Sequence, residues 1–141
     1  MPEASGEIAK ALYEMNYLRA QAEQAQRQLA SVTEMLEESS AVALALQEMT
    51  RAKPEKVILP VGSGVFVKAS IAKEDRDKVL VDVGAKIVAE KTVEEASRLM
   101  QERQQQLTQA SQNLQNDLEA IGHRLEHLNE QVNQLEARER K

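Results

Sequence analysis

Two long stretches of this chain place an apolar residue at alternating steps of three and four, with no proline to interrupt them. That repeat constrains the fold more than any other feature, because a mean spacing of 3.5 keeps one face of a helix against a neighbouring helix along its whole length. The first stretch, Glu7 to Lys53, lacks both glycine and proline. With Ile8 at heptad position a, the a series is Ile8, Met15, Ala22, Leu29, Leu36, Ala43 and Thr50. The d series is Ala4, Ala11, Leu18, Ala25, Val32, Ser39 and Leu46, so only Thr50 and Ser39 are polar. The second stretch, Val93 to Lys141, carries Val93, Met100, Leu107, Leu114, Ile121, Leu128 and Leu135 at its d positions, all apolar. Its a series, Ser97, Gln104, Ser111, Leu118, Leu125 and Val132, is polar toward the middle of the chain and apolar toward the C-terminus.

Each stretch predicts a helix of about 45 to 50 residues, roughly 70 Å long at 1.5 Å per residue. Helices of equal length pair most simply with each other. In an antiparallel pair facing residue numbers add to a constant, and 143 matches Ile8 with Leu135, Met15 with Leu128, Ala22 with Ile121 and Leu29 with Leu114. Small residues then repeatedly oppose large ones, which suits close packing. Both termini fall at the end of this rod away from the middle segment.

Three regions follow: helix 1–53, a β module 54–92 and helix 93–141. Pro54 closes the first helix because the residue before a proline avoids the α region. Thr92, with Glu95 three residues on, forms a capping box that opens the second. Between them apolar residues alternate with period two, the signature of strands. Four are predicted: Lys56 to Val61 and Val65 to Ala72 around Gly62-Ser63-Gly64, then Lys78 to Val83 and Lys86 to Lys91 around Gly84-Ala85. They make two β-hairpins, separated by the charged loop Lys73-Glu74-Asp75-Arg76-Asp77. The expected fold is therefore mainly α with a small β module, a long antiparallel two-helix coiled coil with two central hairpins. An isolated hairpin is marginal in water, and a two-helix rod offers only its narrow end to pack against. The strands must find partners in other subunits. The expected oligomerisation residues are Val57, Leu59, Val61, Val65, Phe66 and Val67 of the first hairpin, with Val79, Val81, Val83 and Ile87 of the second.

Composition narrows the function. Tyr13, Tyr17 and Phe66 are the only aromatics in 141 residues and cysteine is absent, so an aromatic core, thiol catalysis and cysteine-based zinc sites are excluded. Eighteen basic against 23 acidic residues give a net charge of −5 with no polybasic run, which argues against nucleic acid and anionic membranes as partners. The longest apolar runs are far short of a membrane span, and the N-terminus lacks a basic segment followed by an apolar one. The expectation is a soluble, cytoplasmic protein whose partners are proteins. His123 and His127 share a helix face, but they sit at outward heptad positions, and the intervening Arg124-Leu125-Glu126 lacks the Glu that a zincin needs directly after its first His, so no metal is expected. Gly62-Ser63-Gly64 lacks the Lys and Ser/Thr of a phosphate-binding loop and reads as a turn. No catalytic constellation and no cofactor site emerge.

The blocks Val57-Ile58-Leu59-Pro60-Val61-Gly62-Ser63-Gly64-Val65-Phe66-Val67-Lys68-Ala69 and Val79-Leu80-Val81-Asp82-Val83-Gly84-Ala85-Lys86, set between two long helices with adjacent termini, closely resemble prefoldin. The two hairpins match its α-type subunits, since β-type subunits carry one. The resemblance covers essentially the whole chain. It implies an ATP-independent chaperone in which two α-type and four β-type subunits join their hairpins into an intersubunit β-barrel, with the distal ends of six coiled coils gripping unfolded proteins and passing them to a group II chaperonin. The client-binding tip would then comprise Ile8, Leu12, Tyr13, Met15 and Tyr17 from the first helix and Leu128, Val132 and Leu135 from the second. Tyr13 and Tyr17 face outward and offer large contact area at low entropic cost. The others serve first as seam residues, exposed when the last turns fray. The rival reading is a structural coiled-coil adaptor or a filament-forming relative that polymerises through the same hairpins.

Overall fold

The computed structural model describes residues 2–51 and 57–140. Helix α1 runs Pro2–Arg51 and helix α2 runs Val93–Glu139. Between them lie strands β1 (Val57–Gly62), β2 (Val65–Ala69), β3 (Lys78–Gly84) and β4 (Ile87–Thr92), with a 3-10 turn at Lys73–Asp75. The role given to Pro54, the helix boundary at Lys53 and the strand start at Lys56 lie outside the described residues. The chain divides into two compact units. One, here the helical unit, joins residues up to Met35 with those from Leu107; the other, the hairpin unit, is Leu36–Gln106.

In the helical unit the two helices run antiparallel. Ala11 and Met15 of α1 and Leu128 and Val132 of α2 form one buried cluster, with Ile8, Leu18 and Leu125 packed against it. Met15 and Leu128 are a pair that the heptad reading sets face to face. Ser5 Oγ donates to Glu139 Oε1 at 3.3 Å, one residue off that register. Leu128 is only 2% exposed. Truncating it removes several methyl groups from a site with no slack, so Leu128→Ala will cost about 2–5 kcal/mol. Amide hydrogen exchange read in both helices will show faster exchange concentrated around Ala11–Met15 and Leu128–Val132.

The hairpin unit has a second cluster, Leu46 of α1 with Val93, Ala96 and Met100 of α2, against which Met49, Leu99 and the strand residues Val79 and Val81 pack. Thr92 Oγ1 accepts a bond from the Glu95 N–H at 3.1 Å, satisfying one of the free donors at the start of α2. The Val93 N–H donates to the Asp77 carbonyl at 2.9 Å, tying that helix start to the edge of β3.

Both hairpins are antiparallel, and each forms a separate two-stranded sheet. Strand β2 stops at Ala69 rather than Ala72, and β4 begins at Ile87 rather than Lys86. Lys86 cannot extend the strand because it sits in the left-handed region with φ 61°, as does Ala85 with φ 52°. Gly84, with φ 106°, closes β3 at a register shift, and its N–H bonds to Asp82 Oδ1 at 2.9 Å. Two residues of positive φ match the twist of a hairpin, but a Cβ makes that conformation costly. Asn at position 85 and Gly at 86 will therefore stabilise the second hairpin by about 1 kcal/mol. Urea unfolding of the full chain, followed by amide signals of β3 and β4, measures the gain.

Candidate assembly and client-contact surfaces

Which face of each hairpin is free follows from the pairing. In β3–β4, Val79 stands opposite Lys91 and Val81 opposite Ala89. These four share one face and all are half-buried, Val79 and Val81 against the helical cluster. The other face carries Lys78, Leu80, Asp82, Val88 and Glu90, all exposed, with the Lys78 ammonium 3.5 Å from the Glu90 carboxylate. Leu80 is 73% exposed. Of the assembly residues expected from sequence, Val79 and Val81 thus contact the chain's own core, while Val83 and Ile87 near the turn are exposed.

In β1–β2, Val57 pairs with Ala69 and Leu59 with Val67 on one face, and Ile58 with Lys68 and Pro60 with Phe66 on the other. Leu59, Val61, Val65 and Val67 are exposed on the first face, and Ile58 and Phe66 on the second; only Val57 and Ala69 are half-buried. The turn Ser63-Gly64 has φ values of 50° and 78°. This hairpin therefore offers apolar side chains on both faces at once, an arrangement that two strands do not sustain in water.

Sequence reasoning missed Ile58, Leu80 and Val88. The signal was available for Leu80: with Val79 and Val81 on one side, Lys78, Asp82 and Glu90 mark the other as the solvent face of the single chain. Val42 and Leu44 near the end of α1 are also exposed and lie off the seam.

At the ends of the helical unit the expected client residues fall into two groups. Leu12, Tyr13 and Tyr17 are exposed, Tyr13 to 78%, and the Tyr17 hydroxyl accepts a bond from Gln21 Nε2 at 3.1 Å. Met15, Leu128, Val132 and Leu135 are buried, and Ile8 is half-buried. Beside them Arg124 makes two bonds to Glu14, Nε to Oε1 at 2.9 Å and Nη2 to Oε2 at 3.1 Å. Hydrogen bonding to Arg124 holds the Glu14 carboxyl below its ordinary range, against a smaller opposing effect of desolvation. The pair is therefore intact near neutrality and is lost as acid protonates Glu14. His123 and His127 are exposed, with His123 Nε2 3.7 Å from a Glu119 oxygen. Among the described residues no cluster of His, Asp and Glu is placed to hold a metal ion, and no helix is long and apolar enough to cross a membrane.

The family model described as Prefoldin subunit matches residues 18–138, which include both hairpins and most of both helices. The chain belongs to the prefoldin family. It is similar to prefoldin subunit alpha of Thermofilum pendens, 31% identical over 120 residues that cover 84% of this chain and 92% of that one. Prefoldin subunit alpha of Methanococcoides burtonii is 35% identical over 109 residues, covering 77% of this chain and 78% of the relative. Among solved structures, a cryo-EM structure of filamentous PFD from Methanocaldococcus jannaschii aligns with a TM-score of 0.50 and 25% identity over 93% of this chain and 99% of that one. The prefoldin family is a chaperone family, not an enzyme family, so membership carries chaperone-type function.

Proposed function

We propose that this protein is the α-type subunit of a cytoplasmic, ATP-independent chaperone, in which the segment 54–92 assembles with β-type prefoldin subunits and the helices 1–53 and 93–141 present a client-binding tip. The observation that carries the reading is the double-faced exposure of β1–β2 together with the free outer face of β3–β4. Apolar strands left open in one chain are closed by strands from others. Joined into a barrel of two α-type and four β-type subunits, they hold several coils around one client. The exposed Leu12, Tyr13 and Tyr17 supply weak apolar contacts that gain strength by acting together. Such a grip needs no nucleotide and releases its client to a group II chaperonin, the onward partner that the family resemblance implies.

A second reading is favoured by one observation, the likeness to filamentous PFD over nearly the full length of both chains. The same strands that close a ring can propagate a filament when the rotation between copies does not close. Native mass spectrometry and negative-stain microscopy of the chain, alone and with a β-type subunit, separate the two. A closed hexamer that suppresses aggregation of a denatured protein without ATP is the expected result. Open filaments from this chain alone, unaltered by the β-type subunit, would overturn the hexamer in favour of the filament.

A further inference from the structure

The side chains of β1–β2 are apolar on both faces, but its two backbone edges differ. Pro60 has no N–H, so its pairing with Phe66 is not one in which the two residues exchange both bonds. Bonded and non-bonded pairs alternate along an antiparallel ladder, and the register runs unbroken from Val57 to Pro60. Leu59–Val67 and Val57–Ala69 are therefore the bonded pairs. Ile58 and Pro60 of β1, and Phe66 and Lys68 of β2, turn their backbone groups outward, away from the hairpin.

β2 thus presents both N–H and carbonyl at each of Phe66 and Lys68. β1 presents carbonyls at Ile58 and Pro60 but a donor only at Ile58. A proline on an exposed edge works against the addition of a further strand. Here it guards one side of the hairpin and leaves the other open. Among the described residues β2 has no second neighbour, since its sheet is two-stranded and Val65, Phe66, Val67 and Lys68 are all exposed.

A second copy of β2 suits this edge poorly. The one antiparallel two-fold register that bonds both outward residues sets Phe66 opposite Lys68 of the copy. It makes the two Lys68 side chains diagonal neighbours on one face, and β2 holds no acidic residue to separate them. Centring the pair on Phe66 sets Lys68 against Gly64 in the turn, and centring it on Lys68 sets Phe66 against Ser70, beyond the strand. An extended apolar strand of different sequence, with an acidic residue placed against Lys68, meets neither obstacle.

We propose that a strand of a β-type prefoldin subunit adds to the free edge of β2, bonded to the backbone of Phe66 and Lys68, and that β1 is the interrupted seam of the resulting barrel. The inference rests on the assembly with β-type subunits proposed above. Ile58 and Lys68 stand opposite each other, so a proline at either removes one outward donor at the same level of the hairpin and spares the bonds between β1 and β2. Pro60 occupies just such an outward position. Ile58→Ala and Lys68→Ala control for the lost side chains. In native mass spectrometry of the full chain titrated with a β-type subunit, Lys68→Pro will raise the dissociation constant at least about tenfold over Lys68→Ala, because a partner carbonyl is left unpaired. Ile58→Pro will differ from Ile58→Ala by less than about threefold. Amide hydrogen exchange in the unmodified chain reads the same edges if a proline variant loses the hairpin. The Phe66 and Lys68 amides will exchange freely in the chain alone and become protected when the β-type subunit is added, while Ile58 changes little. An equal or larger loss from Ile58→Pro, or protection at Ile58 and not in β2, would overturn the choice of edge. A complex that forms with neither edge protected would overturn strand addition and leave assembly standing. Protection of Phe66 and Lys68 in the chain alone would overturn the β-type partner in favour of the chain's own strands or a second copy. No complex from the unmodified chain would remove the assembly reading, and this inference with it.

Discussion

Phe66→Asp combined with Leu80→Asp will leave a helical, soluble chain that no longer assembles with a β-type prefoldin subunit. Both side chains are open to solvent in the single chain, Phe66 at 62%, so a carboxylate at either position stays in contact with water before assembly. In the proposed barrel the same positions would be covered, and burying a polar group without a partner costs about 2 kcal/mol or more each. Two such penalties of about 4 kcal/mol together raise the dissociation constant by roughly a thousandfold. Native mass spectrometry will show free subunits where the parent shows the complex, with far-UV circular dichroism unchanged. A complex that forms at the parent's concentration would remove these faces from the interface. Val81 would be the wrong choice for this test despite its place in the strand pattern. It packs on Leu46, Val93, Ala96 and Met100, so Val81→Asp would loosen the hairpin unit itself and lose the complex for a reason unrelated to assembly.

That contrast between Leu80 and Val81 marks where sequence stops being sufficient. The heptad positions were legible to the residue: every a and d position of α1 from Ala4 to Leu46 is buried or half-buried, Ser39 included. Helical periodicity is a local property, and one neighbour along the whole helix is enough to convert it into burial. The other half-buried positions described in α1, Glu14 and Met49, owe their cover to residues distant in sequence, Arg124 in one case and the cluster around Val93 in the other. No local pattern contains that information. For the hairpins, alternation separated the two faces but could not say which one the helices would cover. The answer depends on the path of β4 into α2, whose start is tied to the residue before β3 by the bond from the Val93 N–H to the Asp77 carbonyl. The turn at Ala85-Lys86 was missed because neither residue favours positive φ, and the glycine beside them attracted the assignment.

At the proposed client-binding tip the same distinction between open and covered side chains separates two ways of holding a client. Leu12, Tyr13 and Tyr17 are exposed with the seam intact, whereas Met15, Leu128, Val132 and Leu135 become available only if the helices part. A grip through the first set needs no opening, so substituting all three by Ser will weaken client capture without altering stability. Losing the apolar area of three partly engaged side chains removes about 1 kcal/mol per coil, and with two coils on one client about 2 kcal/mol, roughly thirtyfold in affinity. The readout is the chaperone concentration that half-suppresses aggregation of a denatured protein by the assembled complex, with thermal unfolding as the control. Leu125→Ala moves the second set instead, because Leu125 packs on the seam cluster without belonging to that set. It lowers the cost of parting the helices, so a grip by frayed seam residues will strengthen with Leu125→Ala and be indifferent to the tyrosines, while a grip by the standing surface will show the reverse. The second outcome is expected, because parting a seam as closely packed as that around Leu128 costs more free energy than one weak apolar contact returns. If suppression survives the triple substitution and rises with Leu125→Ala, the client is held by the opened helix ends and the tyrosines are bystanders.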